Sequence, residues 1–502
     1  MRSIFVAVFF ALVLAGNAHA DPATELLGRL EKQLLVQQKM IEAQQKQLDE
    51  QKELLEKLGA RLDHTVAGNN APAKAERPVA ETPPPEAPST LDDVALAEDE
   101  EMGTTASEAA TRVGANTRGE PGHLVHIARG GPFSLEVGGL FHTLGIYSAK
   151  RTLPTATVFF LTPEDQTGVE DTFNMSAQYS RAIASVRGPR LGGFDTGAEF
   201  QALFSGGSIT SDDYGITPGL AYVWANSGEW YGAAGLNLDM FSPRVPTMVD
   251  GISALAASGN PGNMQRAQAR LERSFTTGET GQLTIGAAIA EPFSTIVNDL
   301  TGQDTNYEDN GIPNIESVVK WNSGPAEASA LLPWPGLALE LSGVYGQFRS
   351  YAGRQDPVVS NVWGVAAGAG IRIGNRFGIQ GEAYAGEALG NYLGCIQQIS
   401  VQPNPLLLSS LEPISCYGGW GELAYAWSPD VVSHLGYGID HVSSDDLTLG
   451  YIQNNQTAYA NLMWNVTPYW QLSVEGTWRA TDWVGFDDNA GPAVMVASAV
   501  RF

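Results

Sequence analysis

Arg266, Gln268, Arg270 and Glu272 stand at every second position of one segment, with Ala267, Ala269 and Leu271 between them. In a β-strand that spacing puts four polar groups on one face and three apolar ones on the other. Two guanidiniums and an amide on one face suit the binding of carboxylates or phosphates, because arginine presents a planar fork of donors that such anions match. Arg181, Arg244 and Lys320 are further cations of the same candidate set. Glu199 either joins them along a solute path or holds one of the arginines by pairing with it, as Glu272 could too. The residue types leave both readings open.

Covalent chemistry has little support. No Gly-x-Ser-x-Gly elbow, phosphate loop or His-Glu-x-x-His occurs, and the 7 His lack metal-ligand spacing apart from the pair His123 and His126. The 2 Cys, without histidines nearby, do not make a zinc set. No cofactor or metal is therefore expected. A hydrolytic triad on a barrel wall carries no local signature, and His434, Asp440 and His441 are the residues from which one would be built. Cys395 and Cys416 fall within one late connecting segment, which in an exported chain predicts a disulfide closing that segment.

The elements that must position these residues follow from composition and period. The chain has 502 residues, a net charge of −26, 56 Gly and only 17% charged residues, which excludes general nucleic-acid binding. Arg2, the apolar run Ile4 to Ala15 and Ala18-His19-Ala20 make residues 1–20 a signal peptide, the run being shorter than the roughly 20 residues of a spanning helix. From residue 21 to 63, Leu27, Leu34, Ile41, Leu48, Leu55 and Leu62 recur every seventh position, with Leu30, Gln37, Gln44, Gln51 and Leu58 as companions. That is the seam of an α-helical coiled coil, which wants copies of itself. Residues 64–131 are rich in Ala, Pro and acid and read as a linker.

Beyond residue 132 the pattern becomes short alternating segments between turn residues, with all 11 Trp in this part. Candidate strands begin near Phe133, Phe173, Leu191, Tyr214, Glu229, Asn263, Thr280, Asn314, Pro335, Ser360, Asn375, Gly418, Val431, Asn454, Tyr469 and Gly491. Short turns such as Gly374-Asn-Arg376 alternate with long connections such as 148–172, 240–262, 291–313 and 389–417, the asymmetry of a transmembrane barrel. The fold class is thus an all-β transmembrane barrel of about sixteen antiparallel strands, preceded by the coiled coil. Phe194, Ala198, Phe200, Ala202 and Phe204 share one parity, for lipid, and Asp195, Glu199 and Gln201 the other, for the lumen. Trp321, Trp334, Trp420, Trp427, Trp464, Trp470 and Trp478, near strand ends, suit the headgroup level, although an inward position is open to some of them. Val494, Val496, Val500 and Phe502 form the apolar face of a closing strand. The third long connection, beginning at Met240, is placed to fold inward and narrow the lumen.

Ser180-Arg181, the run Leu191 to Phe200, Gly235 to Phe241, Gln268-Ala-Arg270, Ile312 to Ile315 and Ala385 to Leu393, in that order, resemble the DcaP-like trimeric porins of Gram-negative bacteria. Gln201-Ala202 departs from the acidic residue the family places soon after Glu199, and the linker is unusually long. The resemblance implies an outer-membrane homotrimer that admits small hydrophilic, often anionic, solutes by diffusion, with the coiled coil in the periplasm. Two other roles fit the residues: a tether joining outer-membrane lipid to peptidoglycan through the coiled coil, and a barrel enzyme.

Overall fold

The computed structural model describes residues 125–130, 132–153, 158–164, 171–205, 214–250, 255–292, 312–324, 332, 334–350, 358–401, 412–443 and 447–502. The expected signal peptide and coiled coil, and the linker as far as residue 124, lie outside them, as does His123.

The chain opens with β1 (Val125–Gly130) and the long β2 (Phe133–Ser148), followed by the ribbon β3 (Thr152–Leu153) and β4 (Phe160–Leu161). Then come β5 (Thr172–Ser176), β6 (Arg181–Arg187), β7 (Asp195–Leu203), β8 (Thr217–Asn226), β9 (Trp230–Leu238), β10 (Gln265–Thr277), β11 (Gly281–Ala290) and β12 (Asn314–Ser323). The second half holds β13 (Leu337–Ser350), β14 (Val358–Ile373), β15 (Phe377–Glu387), the ribbon β16 (Ser400–Val401) and β17 (Glu412–Pro413), and β18 (Ser415–Ser428). β19 (Val431–Val442), β20 (Ile452–Thr467), β21 (Trp470–Trp483) and β22 (Asn489–Arg501) complete it.

Neighbours in sequence pair antiparallel, and β2 pairs with β22 from Leu140↔Arg501 to Ser148↔Ala493, which closes the sheet on itself. The other edge of β2 pairs with β5 above and β6 below, so those two are halves of one wall strand. Between the halves, Gln178 and Tyr179 are buried. The described residues thus build a barrel of sixteen wall strands. β1 is an addition: it pairs with the lower part of β2, Val125↔Val137 to Gly130↔Phe133, on the edge that β22 leaves free below Leu140. Each strand start expected from the alternation falls within four residues of an observed one.

The two faces differ as the alternation requires. On β22, Val494, Val496 and Val500 are exposed outward, whereas Met495, Ala497 and Ala499 are buried inward. On β7, Phe200 is exposed and Glu199 and Gln201 are buried. Outward Phe141, Phe173, Ile289, Leu341, Val365, Leu435 and Trp478 extend an apolar surface around the wall, as contact with lipid demands and contact with water does not. Trp427, Trp464, Trp470 and Trp478 belong to this outer face, but Trp334 and Trp420 do not. They are buried inside the barrel at 7% and 6% exposure, a correction to the headgroup placement of these two. Parity explains Trp420, which alternates with outward Tyr417, Leu423 and Tyr425 on β18 only if it points in. Trp334 precedes its strand, where parity has no hold.

Candidate pore constriction

Of the loop joining β9 to β10, the limbs 239–250 and 255–264 fold into the lumen. The loop is pinched at its base by Asp239, whose carboxylate accepts the backbone N–H of Asn263 at 3.1 Å and of Met264 at 3.0 Å. From there its backbone follows the inner wall. Met240 N–H donates to Glu316 Oε2 of β12 at 2.7 Å, and Ser242 N–H to Ser342 Oγ of β13 at 2.9 Å. The Ser242 hydroxyl donates to Glu382 of β15. Arg244 spans Gln380 Oε1 of β15 and Glu340 Oε1 of β13, each at 3.1 Å. Thr247 N–H then donates to Glu422 Oε2 of β18 at 2.5 Å, and Val249 N–H to Glu475 Oε2 of β21 at 3.0 Å. On the return limb, Asn455 Nδ2 donates to the Ala257 carbonyl at 2.7 Å and Ser258 Oγ lies 2.9 Å from Thr457 Oγ1.

An irregular segment inside a barrel has no ladder to satisfy its N–H groups, so side chains must accept them. Ionised carboxylates are the strongest such acceptors. The wall also leaves room. Small residues fill the inward positions of β14, Gly364, Ala366, Gly368 and Gly370, and a Cβ at Gly370 would lie 2.6 Å from Arg244 Nη1.

The second inserted segment holds two 3-10 turns, Leu389–Tyr392 and Cys395–Gln397. It meets the loop at Gly262, whose N–H donates to the Tyr392 carbonyl at 2.5 Å. Cys395 and Cys416 form the expected disulfide, with Cα atoms 5.1 Å apart, although Cys416 lies in β18 rather than in the connection. Beside it the Tyr384 hydroxyl accepts Cys395 N–H at 3.0 Å and donates to Asp440 Oδ1 at 2.6 Å, while Asp440 Oδ2 accepts Ile396 N–H at 3.1 Å.

The cations singled out by spacing all belong to the lumen side, in different settings. Arg266 has no exposed side-chain surface: Nε lies 3.8 Å from Asp239 and 3.7 Å from Glu316, Nη2 donates to the Asn391 carbonyl at 2.5 Å, and the guanidinium rests 3.7 Å from the Tyr392 ring centroid. Gln268 donates to the carbonyls of Asn237 at 3.0 Å and Leu238 at 2.7 Å. Arg270 donates to Leu238 O at 2.5 Å with Nη1 3.7 Å from Glu272. Arg266 and Gln268 therefore brace the loop's base, and Arg244 fastens its outgoing limb. Arg181 on β6 and Lys320 on β12 are half-buried inward positions away from these contacts. Glu199 pairs with Gln201 Nε2 at 3.0 Å and Tyr222 at 3.2 Å.

The wall carboxylates Glu316, Glu382, Glu422 and Glu475 escaped the sequence reading, although each is an inward-parity acid on its own strand. That parity was the available signal; their partners, loop N–H groups far away in sequence, leave none. The residues offered for a hydrolytic triad are not brought together. His434 Nδ1 lies 3.1 Å from Glu422, Asp440 holds Tyr384, and His441 pairs with Asn454 Oδ1 at 2.5 Å. His434 and Asp440 are six positions apart on β19, about 20 Å along a strand.

A closed sixteen-stranded antiparallel wall, apolar outside and narrowed by an inserted third loop, defines the porin type of barrel. Among solved structures, the outer membrane channel DcaP of Acinetobacter baumannii is similar, with a TM-score of 0.59 at 17% identity over 76% of this chain and 100% of that one. OmpT of Vibrio cholerae gives 0.47 at 9% identity over 75% and 100%, and the Salmonella typhi OmpF complex with daunomycin 0.46 at 10% over 75% and 100%. No family model and no curated protein matches the sequence. The likeness to DcaP establishes a shared fold.

Proposed function

We propose that the protein is an outer-membrane porin that passes small hydrophilic solutes by diffusion, with a preference for carboxylates and other anions. The observation that carries this reading is the inserted loop of residues 239–264, held against the inner wall at six strands, which makes a fixed constriction rather than an open tube. The charge of the lumen supports the anion preference despite the net charge of −26. Glu316, Glu382, Glu422 and Glu475 are buried beneath the loop they hold, so their charge is spent on its N–H groups. Arg181 and Lys320 keep partial exposure and Arg270 a little, 9% of its side chain, and these are the side chains expected to meet solute. The fold similarity to a channel of the outer membrane agrees with the same role. A signal peptide, a periplasmic coiled coil and a trimeric assembly complete the proposal, the coiled coil supplying a second association between copies.

Three measurements test it. Purified protein in planar bilayers is expected to give stable stepwise conductance, and proteoliposomes are expected to swell faster in dicarboxylates and phosphate than in sugars or zwitterionic amino acids of like size. Reversal potentials in a salt gradient should indicate anion preference, and Arg181→Ala combined with Arg270→Ala should reduce it. A cation preference in the wild type, unaltered in that double variant, would overturn the selectivity while leaving the pore.

A further inference from the structure

The chain enters and leaves the barrel at one rim, where the connections are mostly tight turns such as 374–376 and 429–430. The connection between β12 and β13, residues 324–336, is longer, and its described residues Leu332 and Trp334 are buried inside the barrel. Leu332 has 0% exposure and Trp334 7%. The six-membered ring of the Trp334 indole packs against the inner wall at Gly378 of β15, so close that a Cβ there would overlap it. Its ring centroid is 6.5 Å from that of His434 on β19. Trp334 and Leu332 share an apolar cluster with Ala424 and Ala426 of β18, Met463 of β20 and Val249 of the inserted loop. His434 in turn reaches Glu422 at 3.1 Å, the carboxylate that accepts Thr247 N–H. The indole is thus seated beneath the constriction loop, at the opposite end of the same contacts.

We propose that Trp334 is a specificity-determining residue: a second stricture, in series with the 239–264 loop, that sets the largest solute able to leave the lumen at the rim where β2 begins and β22 ends. This rests on the porin reading above. A solute crossing two constrictions in series is limited by the narrower one. An indole seated on Gly378 among Ala424, Ala426 and Met463 narrows the lumen with apolar groups and no charge, so it acts on size and wetting rather than on ion selectivity. Tryptophan in an outer-membrane wall gains most at the headgroup level, and its burial in the lumen forgoes that position. A Cβ at 378 would overlap the ring, so any other residue there must displace it from this seat.

The test uses the full chain in planar bilayers and in proteoliposomes, comparing wild type with Trp334→Ala, Gly378→Ala and Trp334→Phe. The first removes the ring, the second removes its seat while keeping it, and the third keeps an aromatic ring there. Conductance is expected to rise roughly twofold in Trp334→Ala and Gly378→Ala and to stay near wild type in Trp334→Phe, with reversal potential unchanged in all three. Swelling in a trisaccharide, slow in wild type, should accelerate in the same two variants. Heat-shifted electrophoretic mobility confirms that each variant has folded; if Trp334→Ala fails to fold, Gly378→Ala decides. Wild-type conductance and trisaccharide rates in folded Gly378→Ala and Trp334→Ala would overturn the proposal. A variant in which residues 243–261 are replaced by a short Gly-Ser link separates the two readings. If it alone opens the pore, the Trp334 stricture falls and the porin stands; if it and every other form pass no ions, both fall.

Discussion

Arg266 occupies the point where the base of the inserted loop, the wall and the disulfide-bearing segment meet. Its guanidinium lies between Asp239 and Glu316, over the Tyr392 ring and under the Asn391 carbonyl. Arg266, Asp239, Glu316 and Tyr392 are out of water, and removal of one partner of a buried ion pair costs about 3–5 kcal/mol because the other charge is left uncompensated. Arg266→Ala leaves two such carboxylates, so the expected result is release of the loop rather than loss of a solute contact. Limited proteolysis of folded barrel should then cut within 239–264 where wild type is protected, and conductance should become larger and noisier. Arg266→Lys keeps the charge but neither the planar fork nor the stacking on Tyr392, and intermediate protection is expected. Unchanged protection in Arg266→Ala would mean that Asp239 and the wall carboxylates hold the loop without it.

The segment bearing the disulfide is anchored twice, by Cys395–Cys416 and by the hydrogen bonds of Tyr384 and Asp440 to Cys395 and Ile396. A disulfide closing a loop of this size contributes about 3 kcal/mol by restricting the unfolded chain. Reduction is therefore expected to expose 388–414 to protease while the wall keeps its heat-shifted mobility, and Asp440→Ala should deepen the effect. No added cleavage on reduction would place the anchoring with Tyr384 and Asp440 alone. The strands themselves were legible because alternation is a local property: a period of two over β7 or β22 announces both the element and its faces. The pairing of the two cysteines was legible because the chain holds only two, 21 positions apart, although the second turns out to lie in the strand that follows the connection. What the lumen contains was not. Glu422 and Thr247 are 175 positions apart, and a carboxylate accepting a loop N–H has no period and no spacing. The same holds for Trp334, which sits outside any strand and takes its position from Gly378.

At the scale of the whole barrel, the wall has one seam, where the first and last strands meet. Sixteen strands leave no free edge only if β2 finds β22, and the register there runs through Leu140↔Arg501. The final residue extends the pairing by two hydrogen bonds: Gly139 N–H donates to Phe502 O at 2.9 Å, and Phe502 N–H to Gly139 O at 3.2 Å. The Phe502 ring stacks on Phe141 of β2 at 5.0 Å and covers Gly139, where a Cβ would lie 2.6 Å from the ring. Directly below, β1 takes over the same edge of β2, so the seam is filled from both ends of the described chain. Phe502 thus fixes the register of closure, the step with the greatest loop-closure entropy in the fold. Deletion of Phe502 is expected to slow folding into detergent or lipid and to lower the heat-shifted fraction several-fold, whereas conductance per assembled pore should match wild type, since no lumen contact is lost. Phe502→Tyr keeps the stack and should assemble normally. If the deletion assembles at the wild-type rate, β1 and the Leu140–Ser148 pairing suffice to close the wall, and register is set above the rim.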